Sequence, residues 1–199
     1  MVRQAAPVVL ALLTLAAAGC NAPEPGRPTW GAEVRAYPAG IVPGVEGRVA
    51  LDDDETVFLR AGWNVTDRGD WGEHDDESGG GPGFGFGWRK HEGAPDGSGP
   101  FYGLAMDFWF LDVDWRDGPA AAPTATGNSD LLVWQPTGEV GWAWRIGRTW
   151  MLEGTFAVGA EVDVVTNGES VGQGPIVLVG LRVVHVPPPS AWRRGAVTD

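Results

Sequence analysis

The chain has 199 residues, 43% apolar and 20% charged, with 14 Lys+Arg against 26 Asp+Glu and a formal charge of −12. That is the composition of one globular or membrane-associated domain, and its acidity repels phosphate backbones, which excludes nucleic acid as a partner. A single cysteine excludes an internal disulfide framework and a Cys-rich zinc site, and no run of about 20 apolar residues follows the N-terminus to cross a membrane as a helix.

Residues 1–19 read as a lipoprotein-type signal peptide. Arg3 precedes the apolar run Pro7–Ala18, which is short for a membrane span, and Ala17-Ala18-Gly19 leads into Cys20. Small residues before a cysteine resemble a bacterial lipobox. The resemblance implies that Cys20 is lipidated, a palmitate-type anchor, and becomes the first residue of the mature chain. Ordinary cleavage near Ala18, leaving a free thiol, is the alternative. Residues 20–29 then form a Pro-rich linker.

From residue 30 to residue 186 side-chain character alternates with a period of two between turn residues, the pattern of strands. Eight are predicted: Trp30–Tyr37, Val45–Leu51, Thr56–Asp67, Gly83–His91, Phe101–Val113, Leu131–Ile146, Trp150–Val165 and Ile176–Val186. Residues 187–199 form a C-terminal tail. The sixth strand is the clearest. Leu132, Trp134, Val140, Trp142, Trp144 and Ile146 share one face, and Gln135, Thr137, Glu139 and Arg145 share the other. In the fifth, Tyr102 to Phe110 continue in register into Asp112 and Asp114, which are expected to rise above any apolar band without a bulge.

This alternation suits two architectures. A soluble barrel turns its apolar face inward. A membrane barrel turns it outward and lines its interior with the polar face. Three features favour the second. The polar face is nearly balanced: Glu33, Glu46, Asp107, Glu139, Glu153, Glu161 and Asp163 stand against Arg35, Arg48, Arg60, Arg89, Arg145 and Arg182. Its strong bases are all arginine, whose planar fork suits buried pairing. Trp30, Trp63, Trp88, Trp134, Trp142, Trp144 and Trp150 all fall on the apolar face, several near strand ends, as in aromatic girdles. The connections Asp52–Glu55, Gly93–Pro100 and Gly147–Thr149 are shorter than Arg68–Pro82, Asp114–Asp130 and Thr166–Pro175, which places the short set and both termini in the periplasm.

With this architecture, and with the loop Thr66–Glu77 leading into a glycine-rich strand, the chain resembles the small eight-stranded outer-membrane β-barrels, the class of the outer membrane protein A transmembrane domain. The resemblance implies an all-β, up-and-down antiparallel barrel in the outer membrane of a Gram-negative-type bacterium, in contact with its lipid. Lipid A deacylases and palmitoyltransferases of similar build use a Ser and a His. Here the histidines are His74, His91 and His185, the predicted strands hold no serine, and no enzyme activity is expected. Asp67, Asp70, Glu73, Asp75, Asp76 and Glu77 offer hard oxygen ligands in one loop and are candidates for a divalent cation, although their spacing is not that of an EF-hand. No cofactor is implied. The role expected is structural: a scaffold with a filled lumen that presents external loops to a cation or protein partner. The competing reading is a lipid-anchored soluble periplasmic calyx that binds an apolar ligand.

Overall fold

The computed structural model describes residues 28–52, 54–69, 72–92, 98–169 and 171–186. The signal peptide, Cys20, the linker through residue 27 and the tail lie outside the described residues. The strands are β1 (Thr29–Tyr37), β2 (Gly40–Ala50), β3 (Glu55–Asp67), β4 (Asp76–His91), β5 (Gly99–Asp117), β6 (Ala125–Arg145), β7 (Trp150–Asn167) and β8 (Gly174–His185). Each pairs antiparallel with its sequence neighbour, and β1 pairs with β8 from Trp30↔His185 to Ala36↔Val179, closing the barrel. Closure leaves each strand paired on both sides.

The strands run further than alternation alone indicated. Gly79–Gly81, outside the predicted fourth strand, pair with Thr66, Val65 and Asn64 as part of β4. A side chain there would collide with the neighbouring backbone: a Cβ on Gly81 would strike the carbonyl oxygen of Phe110. Glycine therefore serves close strand approach. β2 begins at Gly40 and contains Pro43, and its ladder to β3 lapses at Val42 and Pro43, where proline has no N–H to donate. The β1–β2 connection is reduced to Pro38 and Ala39.

β5, β6 and β7 have 19, 21 and 18 residues, against 9, 11 and 12 for β1, β2 and β8. One wall of the barrel therefore rises beyond the rest at the end opposite the termini, here called the distal end. On this wall Asp112 and Asp114 keep their outward register, paired with Asp130 and Asn128, and the β5 ladders run through them without a shift. The Asn128 amide donates to Asp112 Oδ1 at 2.5 Å and to Asp114 Oδ1 at 2.9 Å. β7 does slip: Leu132 pairs with Val165 and Val133 with Asp163, so Val164 is the extra residue of a bulge.

The outer surface is apolar. Trp30, Trp63, Trp142, Trp144, Leu104, Val140, Phe156 and Leu181 are all about half exposed or more. Trp30, Trp88, Tyr102, Trp142, Trp144 and Trp150 ring the end that carries the termini, while Trp63, Phe110 and Trp134 stand toward the distal end. The inner face has three layers. A distal apolar layer holds Val42, Trp109, Leu111, Val113, Leu131, Val133 and Val171, and a terminal one holds Phe101, Ala143, Met151 and Val184. Between them lie the charges, with a smaller apolar cluster of Ala157, Ile176 and Leu178 along β7 and β8.

Candidate functional site

Every strand contributes one or two charged side chains to a single buried network. Arg35, Arg48, Arg60, Arg89 and Arg182 meet Glu33, Glu46, Asp107, Glu139 and Glu153, five charges of each sign, all 8% exposed or less. Glu46 lies at its centre. Arg48 and Arg89 each approach its Oε1 at 2.7 Å, and Arg182 lies 3.2 Å from its Oε2. Glu153 joins Arg48 and Arg182, both at 2.6 Å. Arg182 continues to Glu33 at 3.0 Å, and Arg35 links Glu33 at 3.5 Å to Asp107 at 2.8 Å. Asp107 receives a forked pair from Arg60 at 2.6 and 2.5 Å, and Arg89 completes the set with Glu139. Phe58 lies under Arg89, whose guanidinium carbon is 3.8 Å from the ring centre. Such a stack stabilises a desolvated cation.

The glycines of β4 make this assembly possible. A Cβ on Gly85 would strike the Asp107 carboxylate, one on Gly83 would strike Trp109, and one on Gly87 would strike Phe58. The period-two glycines of that strand are thus the inner wall against which large partners lie.

A second cluster sits distally. Arg68 reaches Glu161 and lies 3.3 Å from Glu77, and Gln135 donates to Glu161 at 2.5 Å. Gln135 in turn accepts from the Trp109 indole at 2.9 Å. Arg68 was missed in the sequence because it lies just past Asp67, yet Arg60, Gly62, Asn64, Thr66 and Arg68 continue one period-two series. Trp109 and Glu77 follow from extending the same reasoning along β5 and β4.

Two predicted members of the interior set stand elsewhere. Arg145 is half-buried at the barrel mouth, where it donates to the Arg148 carbonyl at 3.2 Å, because β6 ends there and no inner layer lies beyond it. Asp163 is half-buried beside the β7 bulge and accepts the Val171 N–H at 3.4 Å, above the level of the network.

Among the described residues, the acidic loop does not gather its carboxylates. Asp70 lies outside the described residues. Asp67 and Glu73 are exposed, Asp75 accepts from the Gly118 N–H at 2.7 Å, and Asp76 pairs with Arg116. Glu77 is fully buried on the inner face and accepts the main-chain N–H groups of Glu73 and His74 at 2.7 and 3.1 Å. Neighbouring positions on a strand point to opposite faces, so a run of acids there diverges. Among the described residues the carboxylates that converge, within 4.8 Å, are Asp52, Asp54 and Glu55 in the β2–β3 turn. There the N–H groups of Asp54 and Glu55 hold the Asp52 carboxyl below the usual carboxylate range, and the Lys90 ammonium lies 3.1 Å from Asp54 and 3.5 Å from Glu55. Ser78 is exposed on β4, whereas the His74 ring lies on Trp115.

No protein-family model matches the chain, and no curated protein does. Among solved structures it is similar to neisserial surface protein A, NspA, with 9% identity over 81% of this chain and 99% of that one and a TM-score of 0.50. It is also similar to the N-terminal β-barrel domain of Pseudomonas aeruginosa OprF, with 13% identity over 81% and 98% and a TM-score of 0.47. The likeness to NspA shows the fold: all-β, a closed eight-stranded antiparallel barrel.

Proposed function

We propose that the chain is an outer-membrane lipoprotein barrel, anchored through Cys20 with both termini in the periplasm, non-enzymatic, with a closed lumen and a scaffold role in presenting its distal loops. The observation that carries this reading is the inside-out distribution of polarity: a girdled apolar exterior around a neutral, paired interior. Apolar exterior surface on a closed barrel is stable against lipid and not against water. The calyx reading needs the apolar face inward as a ligand cavity, whereas the inner apolar side chains here pack into three separate clusters around the charges. Because the described loop carboxylates are dispersed or individually engaged, a protein partner suits the distal loops better than a divalent cation.

Two measurements test this function. A Cys20→Ala variant, exported through a cleavable signal, is expected to remain in the membrane fraction until detergent is added, since one lipid contributes far less than a barrel face. Release by high salt or carbonate alone would overturn membrane embedding. The wild-type protein in planar bilayers is expected to give no sustained conductance, and stable ion-selective single-channel currents would overturn the closed lumen.

A further inference from the structure

The aromatic belt at the end that carries the termini has two unlike corners. At one, the protein's own carboxylates meet the donors. The Trp88 indole donates to Glu55 at 3.1 Å, and the Lys90 ammonium lies 3.1 Å from Asp54 and 3.5 Å from Glu55. The other corner lies across the barrel, where β6, β7, β8 and β1 adjoin. There the His185 ring stacks on Trp30, with centres 5.6 Å apart and planes 29° from parallel, and meets Trp150 edge-on at 5.0 Å. Trp30 and Trp150 themselves lie 6.0 Å apart. Trp142, Trp144 and Ile146 extend this exposed platform along β6 and into the turn that follows it.

Arg148 stands at the edge of the platform, exposed in the β6–β7 turn. The Ile146 N–H donates to the Trp150 carbonyl at 2.9 Å and the Val186 N–H to the Thr149 carbonyl at 2.8 Å, while the Arg145 guanidinium donates to the Arg148 carbonyl at 3.2 Å. Gly147 takes φ +97°, in the left-handed region that glycine enters without strain. The turn is thus fastened to the end of β8, and Arg148 belongs to the same corner as His185. Among the described residues no ion pair engages Arg148. The outward positions 150–162 of β7, 177–185 of β8 and 30–36 of β1 contain no carboxylate.

We propose that this corner binds one anionic glycerophospholipid, its phosphate on the Arg148 guanidinium and its acyl chains along Trp30, Trp144 and Trp150. The proposal rests on the reading of the barrel as membrane-embedded. A guanidinium makes charge-assisted hydrogen bonds to phosphate oxygens, and the His185 imidazole presents a ring N–H in either protonation state. Tryptophan suits the level where acyl chain gives way to headgroup, because its ring is apolar and its N–H is not. A zwitterionic headgroup brings a cation as well, and the outward positions around this corner offer no carboxylate to receive it. The chain as a whole carries −12 and repels anionic lipid, so a preference for such lipid has to arise locally.

Native mass spectrometry of the full chain, released from nanodiscs of equimolar phosphatidylglycerol and phosphatidylcholine, tests it. Single-lipid adducts of the wild type are expected to favour phosphatidylglycerol about fivefold, the contribution of one arginine at one headgroup. Arg148→Gln changes an exposed turn residue, leaves the fold in place and is expected to remove the preference. Lys90→Gln removes a base at the same end that Asp54 and Glu55 already neutralise, and is expected to leave the preference unchanged. A preference that survives Arg148→Gln, or one lost equally in Lys90→Gln, overturns the proposal. A chain that fails to enter the nanodiscs overturns the membrane reading with it, whereas a wild type recovered in them without preference overturns this proposal alone.

Discussion

Glu46→Gln is expected to destabilise the barrel by about 3–5 kcal/mol, the usual consequence of removing one partner from a buried, hydrogen-bonded ion pair. Glu46 is 2% exposed and touches Arg48, Arg89 and Arg182, which arise from three different strands. The neutral amide withdraws the charge that these cations share and turns one donor toward guanidinium groups that are themselves donors only. Arg148→Ala is the matched control. It removes an exposed arginine in the β6–β7 turn, and a change within about 1 kcal/mol is expected. Urea unfolding of both variants in detergent micelles measures the contrast. Equal, small effects would show that the Glu46 charge does not hold the network together.

Met106→Arg is expected to cost about 2–4 kcal/mol, the penalty of a base near the bilayer midplane on a lipid-facing strand. Met106 is 42% exposed and sits midway along the outward series Tyr102, Leu104, Met106, Phe108 and Phe110 of β5. Asp130→Arg, distal to that series on β6, is expected to cost no more than about 1 kcal/mol. Refolding into lipid vesicles, followed by denaturant titration, gives both values. If the two substitutions cost the same, the apolar exterior does not face hydrocarbon.

The two expectations are linked by register. A buried ion pair is weak evidence of net stability, because desolvation offsets most of the attraction. Its effect here is on specificity. Sliding one strand by a single residue would turn its arginine outward into the apolar belt and its tryptophans inward. The network and the belt thus penalise the same error from opposite sides, and the glycines of β4 admit the bulky partners only at the observed level.

Much of this architecture is legible in one dimension. The period-two alternation identifies eight strands, separates Trp134, Trp142 and Trp144 from Gln135, Thr137 and Glu139, and predicts that Asp112 and Asp114 stay outward, because each residue's face depends only on its parity within a strand. Strand length was underestimated where glycines and polar residues continue the ladder, as at Gly79–Gly81 and Ala125–Asp130, since local propensity reads those residues as loop while cross-strand pairing holds them extended. What parity cannot supply is height along the barrel axis. Arg145 and Arg89 share a face type, but Arg89 lies at the level of Glu46 and Glu139, while Arg145 ends its strand at the mouth. Likewise Arg68, Glu77 and Glu161 come together, and His74, Trp115 and Glu169 meet, only because the stagger between strands brings distant positions to one level. The sequence by itself determined the number of strands and which side chains turn in. Closure and register, which are set by pairing between strands rather than within them, decided which of those side chains touch.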